Sequence, residues 1–89
     1  MITKEIEIKN KLGLHARAAA KLVHTAARFK SSIKIKKGDE EVDGKSILGI
    51  LLLAAGRGSI ITVRVEGEDE AEALAAIEQL IDAMFDESE

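Results

Sequence analysis

The sequence contains no cysteine, proline, tryptophan or tyrosine, and each absence narrows what the chain can be. Without cysteine it can form neither a disulfide framework nor a thiolate metal site. With Phe29 and Phe85 as its only aromatic residues, it cannot build the stacking platforms of single-strand binders. The longest apolar run, residues 47–55, is far too short to span a bilayer, so we expect no membrane insertion.

What remains is the composition of a small globular protein. Of its 89 residues, 46% are apolar and 33% are charged, which is too apolar for a disordered chain. This length predicts a single domain over residues 1–89, near the lower limit for burying a useful core. The start of the chain alternates charge with isoleucine and lacks the apolar stretch of a secretory signal, so we expect a cytoplasmic protein.

Charge is unevenly divided along the sequence. Residues 1–37 hold ten of the thirteen Lys and Arg but only two acids, a balance of +8, whereas residues 38–89 carry −11. A basic region of this kind is typical of a docking face for an acidic protein or for nucleic acid. Because the stacking aromatics are missing, we favour a protein partner and predict no nucleic-acid binding.

Alternation of apolar and charged residues predicts four short strands. In the last of them Ile61, Val63 and Val65 share one side, and the second and third strands form a hairpin that returns around Glu41 and Val42. Since each strand has one apolar and one charged side, we expect the sheet to be covered by helices on one face and wet on the other.

Three helices are predicted between and after these strands. The first spans residues 16–28, where apolar residues recur at the spacing of one core-facing stripe. The second begins after Ser46, a favoured N-cap, and stops near Gly56, a favoured terminator. The third starts at Asp69, which forms a capping box with Glu72 three residues later.

The predicted order is therefore strand, helix, strand, strand, helix, strand, helix. It defines an α+β fold, an open-faced β-sandwich with a four-stranded antiparallel sheet and three helices on one face (βαββαβα). The right-handed crossover rule, applied to the first strand–helix–strand unit, leaves room for the fourth strand between the first two.

His15 stands at the threshold of the alanine-rich first helix. If that helix starts at Ala16, then His15 is its N-cap, where backbone N–H groups lack partners and the helix end carries about +0.5 charge. Such an end binds anions, and the guanidinium of Arg17 would add charge-assisted hydrogen bonds to a phosphoryl group on the imidazole. These residue types favour reversible capture of a phosphoryl group on His15.

A plainer interpretation makes His15 an idle surface residue, with Arg17 solvating the first turn. Two absences favour a covalent carrier over a hydrolase: no carboxylate adjoins His15 to orient it as a general base, and no Ser or Cys adjoins it to be activated. His24 lies nine residues further on, too far to share an ion with His15, so we predict no metal site and no cofactor.

The GLHAR motif around His15, the KSILGILLLAAGRGS segment of residues 45–59 and the element order together resemble the HPr family, the histidine-containing phosphocarriers of the bacterial phosphotransferase system. The resemblance covers essentially the whole chain. It implies that Nδ1 of His15 accepts a phosphoryl group from Enzyme I, which phosphoenolpyruvate charges, and passes it to a histidine of an Enzyme IIA domain. It thus implies a phosphoryl-transfer intermediate rather than an independent enzyme.

The same resemblance assigns two more residues and exposes one departure. Arg17 matches the arginine that stabilises the phosphate, and Ser46 matches the serine that an HPr kinase/phosphorylase modifies, although as a plain N-cap it needs no further role. A phosphate on Ser46 would place about −1.5 to −2 charge beside the docking surface, so we expect inhibition. The family usually has proline where this chain has Ala18, which predicts a looser helix start.

Partners are predicted to dock on two surfaces. A positive ridge on the first helix, which includes Arg17 and Arg28, would steer an acidic protein at a rate that salt lowers. The second helix is apolar all round and cannot be buried on every side of so small a domain, unless it is deeply sunk. The predicted partner-binding residues are Leu14, Ala16, Ala20, Lys21, His24, Ile47, Leu48 and Leu51. We expect a monomer.

Two other functions remain open at this stage. The first is a regulatory phosphorelay, in which the same chemistry informs nitrogen or carbon control without sugar uptake. The second belongs to another class, a non-catalytic module that binds RNA or a small ligand. That module predicts that His15→Ala leaves function intact, whereas a carrier predicts complete loss of function with the fold preserved.

Overall fold

The computed structural model describes residues 1–87. Within them the elements follow the predicted order, with one short addition after the last helix. They are β1 (Ile2–Glu7), α1 (Ala16–Ala27), β2 (Ser32–Lys37), β3 (Glu40–Asp43), α2 (Ile47–Leu52), β4 (Ile60–Glu66), α3 (Glu70–Asp82) and a 3₁₀ turn (Met84–Asp86). No helix in this described part of the chain is long and apolar enough to cross a bilayer.

The four strands form one antiparallel sheet in the order β1-β4-β2-β3, which confirms the predicted fold class. β4 lies between β1 and β2, in the space for which the crossover rule leaves room. The register pairs Ile6 with Ile61 and Ile35 with Val63, so branched side chains stack on one face. The opposite face is charged, and there Arg64 Nη2 donates to a Glu41 oxygen at 2.9 Å.

The core lies between the apolar face of the sheet and helices α1 and α3. Leu22 and Ala26 of α1 and Ile77 and Ile81 of α3 are fully buried against the strands. Phe85, in the turn after α3, is also fully buried and anchors that turn to the core. This packing fixes the direction of α1, and with it the position of the residue before Ala16.

The predicted capping box of α3 is wrong. Asp69 is the N-cap residue but its side chain makes no cap hydrogen bond. Its carboxylate instead accepts from the backbone N–H groups of Lys30 at 2.9 Å and Ser31 at 3.0 Å, and from the Ser31 hydroxyl. Glu70, the first residue of the helix, accepts from the backbone N–H of Gly67 at 3.2 Å, in the loop before the N-cap. Asp69 therefore ties the α1–β2 loop to the start of α3.

Helix α2 begins as predicted and ends earlier. Ser46 is its N-cap, and Oγ accepts from Gly49 N–H at 3.0 Å. The helix stops at Leu52 rather than near Gly56, because Ala54 turns into the left-handed region at φ 50°. Lys37 Nζ donates to the carbonyl of Ala54 at 3.2 Å, which satisfies one acceptor at this helix end.

Candidate functional site

His15 occupies the N-cap of α1, as predicted. Its backbone is extended, with φ −74° and ψ 178°, and its carbonyl accepts the first helical bond from Ala19 N–H at 2.8 Å. The imidazole makes no cap hydrogen bond, so the ring is not used to hold the helix start. The N–H groups of the first helical turn lack helical carbonyl partners, which gives this end its attraction for anions.

The loop before His15 is built on Gly13 and a buried asparagine. Gly13 has φ +65°, and a Cβ there would lie 2.4 Å from the carbonyl oxygen of Ala55, so only glycine fits. The next residue, Leu14, donates its N–H to that same Ala55 carbonyl at 2.9 Å. Asn10 is fully buried, and its Nδ2 donates to Gly13 O at 2.8 Å. The loop is therefore held by the Ala55 carbonyl and by the side chain of Asn10.

A carboxylate contacts the imidazole, and the expectation that none adjoins it is wrong. Glu87 Oε2 lies in hydrogen-bond contact with Nε2 of His15, while its Oε1 accepts from Asn10 Nδ2 at 2.9 Å. The side chains of His15 and Glu87 are 26% and 14% exposed, so the pair lies in a half-buried setting. Local sequence around His15 gave no sign of this contact, because it joins residues 72 apart.

The environment of Glu87 favours its ionised form. The hydrogen bond from Asn10 is the largest cause that lowers the pKa of the Glu87 carboxyl below its ordinary value. Burial opposes this shift, while the contact with His15 and the positive charge of Lys21 add to it. The ionised carboxylate of Glu87 therefore lies against the imidazole at neutral pH.

A strained turn brings Glu87 to this position. Met84, Phe85 and Asp86 all have left-handed backbones, with φ of 54°, 55° and 62°. For residues other than glycine that conformation costs roughly 1–2 kcal/mol each. Burial of the Phe85 ring and a hydrogen bond from Lys21 Nζ to the Phe85 carbonyl hold the turn in place. The last turn of the described chain is thereby folded back onto α1.

The imidazole opens into a surface cleft of about 790 Å³. Arg17 is exposed and lines the same cleft as the imidazole. The lining residues are Lys11, Leu12, His15, Ala16, Arg17, Lys21, Asp86 and Glu87. Cations outnumber acids in it, so the cleft suits an anionic group, and none of these lining residues carries a hydroxyl or thiol nucleophile. Residues 1–87 contain no cluster of three or more His, Cys, Asp and Glu that could hold a metal ion.

Helix α2 leaves an apolar patch open, as predicted. Ile47, Leu48 and Leu51 are 42%, 68% and 36% exposed, and the structure adds Leu52 to them. We call these four residues the apolar patch. It lies on the helix that packs beside α1, and Ser46 stands at its edge. Leu12, in the His15 cleft, is a further exposed apolar residue that the sequence did not single out.

The remaining predicted docking residues divide into three groups. Ala16, His24 and Arg28 are exposed, and Ala20 is half-buried, in keeping with a contact role. Lys21 is half-buried with its amine directed to the Phe85 carbonyl, so it stabilises the turn that carries Glu87. Leu14 is only 5% exposed and belongs to the core, which disagrees with its predicted place on the docking surface.

The fold is an open-faced sandwich, and an accessible imidazole stands at the start of a helix in a cleft where basic residues outnumber acidic ones. These features are typical of a small protein that binds an anionic group at a histidine. The family model described as the phosphorylation site of the PTS HPr component matches residues 2–83. Phosphocarrier proteins HPr of Neisseria meningitidis serogroup A and Pseudomonas aeruginosa are 49% and 51% identical to this chain, over 100% and 96% of both partners. A crystal structure of HPr from Thermoanaerobacter tengcongensis superposes with a TM-score of 0.97 at 45% identity, covering 100% of both chains. The chain belongs to the HPr family, the phosphocarriers of the phosphotransferase system.

Proposed function

We propose that His15 is the residue of this phosphocarrier that bears the phosphoryl group, accepting it on Nδ1 from Enzyme I and passing it to a histidine of an Enzyme IIA domain. The observation that carries this assignment is the position of the ring. It lies at the N-cap of α1, takes no part in capping, and opens into a cleft that Arg17 lines. The other histidine, His24, is exposed on α1 and does not line that cleft.

The transfer exchanges one N–P bond for another. The lone pair on Nδ1 of His15 attacks phosphorus, and the donor imidazole leaves with the electron pair of its own N–P bond. The three phosphoryl oxygens would accept hydrogen bonds from the N–H groups at the start of α1 and from the guanidinium of Arg17. Electrostatic stabilisation of this kind needs no metal or other cofactor bound to the carrier.

Incubation with phosphoenolpyruvate and Enzyme I tests the assignment. We expect one phosphoryl group per chain, labile in acid and stable in alkali, on the wild type and on His24→Ala. The variant His15→Ala should take up none while keeping a native circular dichroism spectrum. Label on His15→Ala, or no label on the wild type, would refute the role of His15. Transfer from labelled protein to Enzyme IIA domains then separates sugar uptake from a purely regulatory relay.

We also propose that phosphorylation of Ser46 by an HPr kinase/phosphorylase inhibits the carrier. Ser46 is half-buried at the N-cap of α2, where its Oγ accepts from Gly49 N–H at 3.0 Å. A phosphate at this position would gain from the helix end. It would also add negative charge directly beside the apolar patch, the surface proposed to receive acidic partners.

We further propose that the chain works as a cytoplasmic monomer of one domain. Phosphoenolpyruvate, the source of its phosphoryl groups, is a cytoplasmic metabolite. A carrier that meets Enzyme I and Enzyme IIA in turn must also keep the His15 cleft and the apolar patch uncovered. Light scattering after size-exclusion chromatography tests the monomer, for which we expect the mass of one 9.6 kDa chain.

A further inference from the structure

We infer that Glu87 is a positioning residue for phosphoryl transfer, and that its carboxylate holds the Nε2 side of the His15 ring so that Nδ1 is left as the nucleophile. This role rests on the proposed function of His15. Glu87 is not adjacent to the histidine in sequence and lies outside the part of the chain that the family model matches. It reaches the ring only because the turn after α3 folds back.

Each oxygen of the Glu87 carboxylate has one partner, which fixes its plane. Oε1 accepts from Nδ2 of Asn10, and the same Nδ2 donates to Gly13 O at 2.8 Å, in the loop that carries the histidine. Oε2 contacts Nε2 of His15. Asn10 is fully buried, so the core holds its side chain in one position. The ring and its carboxylate are thus held by a single buried side chain.

The chemistry of the two groups determines which ring nitrogen reacts. An ionised carboxylate only accepts hydrogen bonds, so in the contact the proton belongs on Nε2. A neutral imidazole has one N–H, and with that proton on Nε2 the lone pair lies on Nδ1. Glu87 therefore selects the tautomer whose nucleophilic nitrogen is Nδ1. A carboxylate that contacts the second nitrogen of a histidine fixes tautomer and ring orientation in this way.

The carboxylate also matches the charge that the transfer creates. When Nδ1 bonds to phosphorus while Nε2 keeps its proton, the ring acquires a formal positive charge, which the Glu87 anion compensates. In the onward step the N–P bond breaks and its electron pair returns to Nδ1, with the Nε2 proton still in place. No proton has to enter or leave. The same contact thus assists acceptance and donation of the phosphoryl group.

Two measurements on the same variants test this role. In ¹⁵N NMR of unphosphorylated protein at about pH 9, where imidazole is neutral, wild-type His15 should be in the Nε2–H tautomer. In Glu87→Ala we expect its Nδ1–H fraction to rise to that of the exposed His24, which serves as an internal reference. The rate of phosphoryl acceptance from Enzyme I should fall roughly tenfold in Glu87→Ala, a typical effect of losing the carboxylate behind a functional histidine.

Glu72→Ala is the matched control, since it removes the same carboxylate from an exposed position on α3 that does not line the His15 cleft. It should keep the wild-type tautomer and most of the rate. Glu87→Gln, nearly isosteric, guards against a loss of fold. Its single amide oxygen can accept from Asn10 Nδ2 or from Nε2–H of His15 but not from both, so the rate should fall while the fold is preserved.

Three results would overturn the role of Glu87. They are an unchanged tautomer in Glu87→Ala, a changed tautomer with wild-type transfer, and equal effects of Glu87→Ala and Glu72→Ala. A wild-type protein that takes no phosphoryl group on His15 would refute the proposed function instead. Because the tautomer is measured without phosphorylation, the two failures are distinguishable.

Discussion

At the scale of single residues, the loop that carries His15 depends on Gly13 having no Cβ atom. Gly13 combines a φ of +65° with a backbone carbonyl 2.4 Å from where its Cβ would be. Gly38, in the turn between β2 and β3, has a similar φ of +60° but nothing within 4 Å of that position. The two glycines therefore separate the cost of backbone conformation from the cost of a steric clash.

Substituting these glycines should give different losses of stability. We expect Gly38→Ala to lower the free energy of unfolding by about 1 kcal/mol, the cost of a left-handed backbone. Gly13→Ala should cost about 3 kcal/mol, because the Ala55 carbonyl has to move as well. Urea unfolding with an unchanged m-value measures both. Equal losses would mean that the Ala55 carbonyl can move away from the new Cβ without a cost in stability.

The sequence predicted the positions of those candidate-site residues whose signals are local. His15 and Arg17 could be found because a helix start and a nearby cation are visible within a few residues. Glu87 could not, since its contact depends on how the chain turns after α3. No sequence pattern predicts three consecutive left-handed residues at Met84, Phe85 and Asp86. Burial of the Phe85 ring in the core holds this turn in place. Long-range contacts of this kind need the fold itself.

At the scale of elements, tertiary contacts override local capping. Asp69 and Glu72 match the capping-box pattern, yet three donors from Lys30 and Ser31 draw the Asp69 carboxylate away from its own helix. The Ser31 hydroxyl is the largest cause that lowers the pKa of Asp69 below its ordinary value of 3.8. Strand positions were predictable from alternation, but the partner of a cap depends on which loop lies above it.

The Asp69 contact makes stability depend on pH. A carboxyl whose pKa is lowered by folding stabilises the native state above its unfolded pKa, and that contribution is lost as pH falls through the lower, folded pKa. We therefore expect Asp69→Asn to be less stable than wild type at pH 7, with a difference that shrinks below the ordinary value of 3.8. Urea unfolding at pH 7 and at about pH 3 measures both differences.

Asp39→Asn, at an exposed acid in the β2–β3 turn, is the matched control for loss of one carboxylate. If Asp69→Asn and Asp39→Asn differ from wild type by the same amount at both pH values, then the Asp69 contact contributes nothing particular. A difference that grows towards low pH would reverse the assigned direction of the pKa shift.

At the scale of the whole molecule, the proposed reactive and regulatory residues lie on different helices that pack side by side. His15 stands at the start of α1, and Ser46 stands at the start of α2, next to the apolar patch. That the helices share one face of the sheet was predictable because each strand has one apolar and one charged side. The crossover rule left room for the fourth strand between the first two. How far α2 sinks was not, because an all-apolar helix has no polar side to orient it.

A charge at Ser46 should therefore slow transfer without touching His15. Asp and Asn are both good N-caps, so Ser46→Asp and Ser46→Asn should leave α2 intact and differ by one negative charge. We expect Ser46→Asp to accept phosphoryl groups from Enzyme I about tenfold more slowly, and Ser46→Asn to stay near wild type. This factor corresponds to about 1.4 kcal/mol of encounter and docking energy. Equal rates would exclude charge as the mechanism of regulation.

Because the turn after α3 carries Glu87 near the end of the described chain, its contact with His15 forms late in synthesis. The cationic half of the chain, with His15, is synthesised before the segment that supplies the Glu87 carboxylate, 72 residues further on. Nascent chains and fragments cut before Met84 would therefore carry His15 without its support. In the proposed relay, His15 gains its contact with Glu87 only when the two oppositely charged halves of the polypeptide pack together.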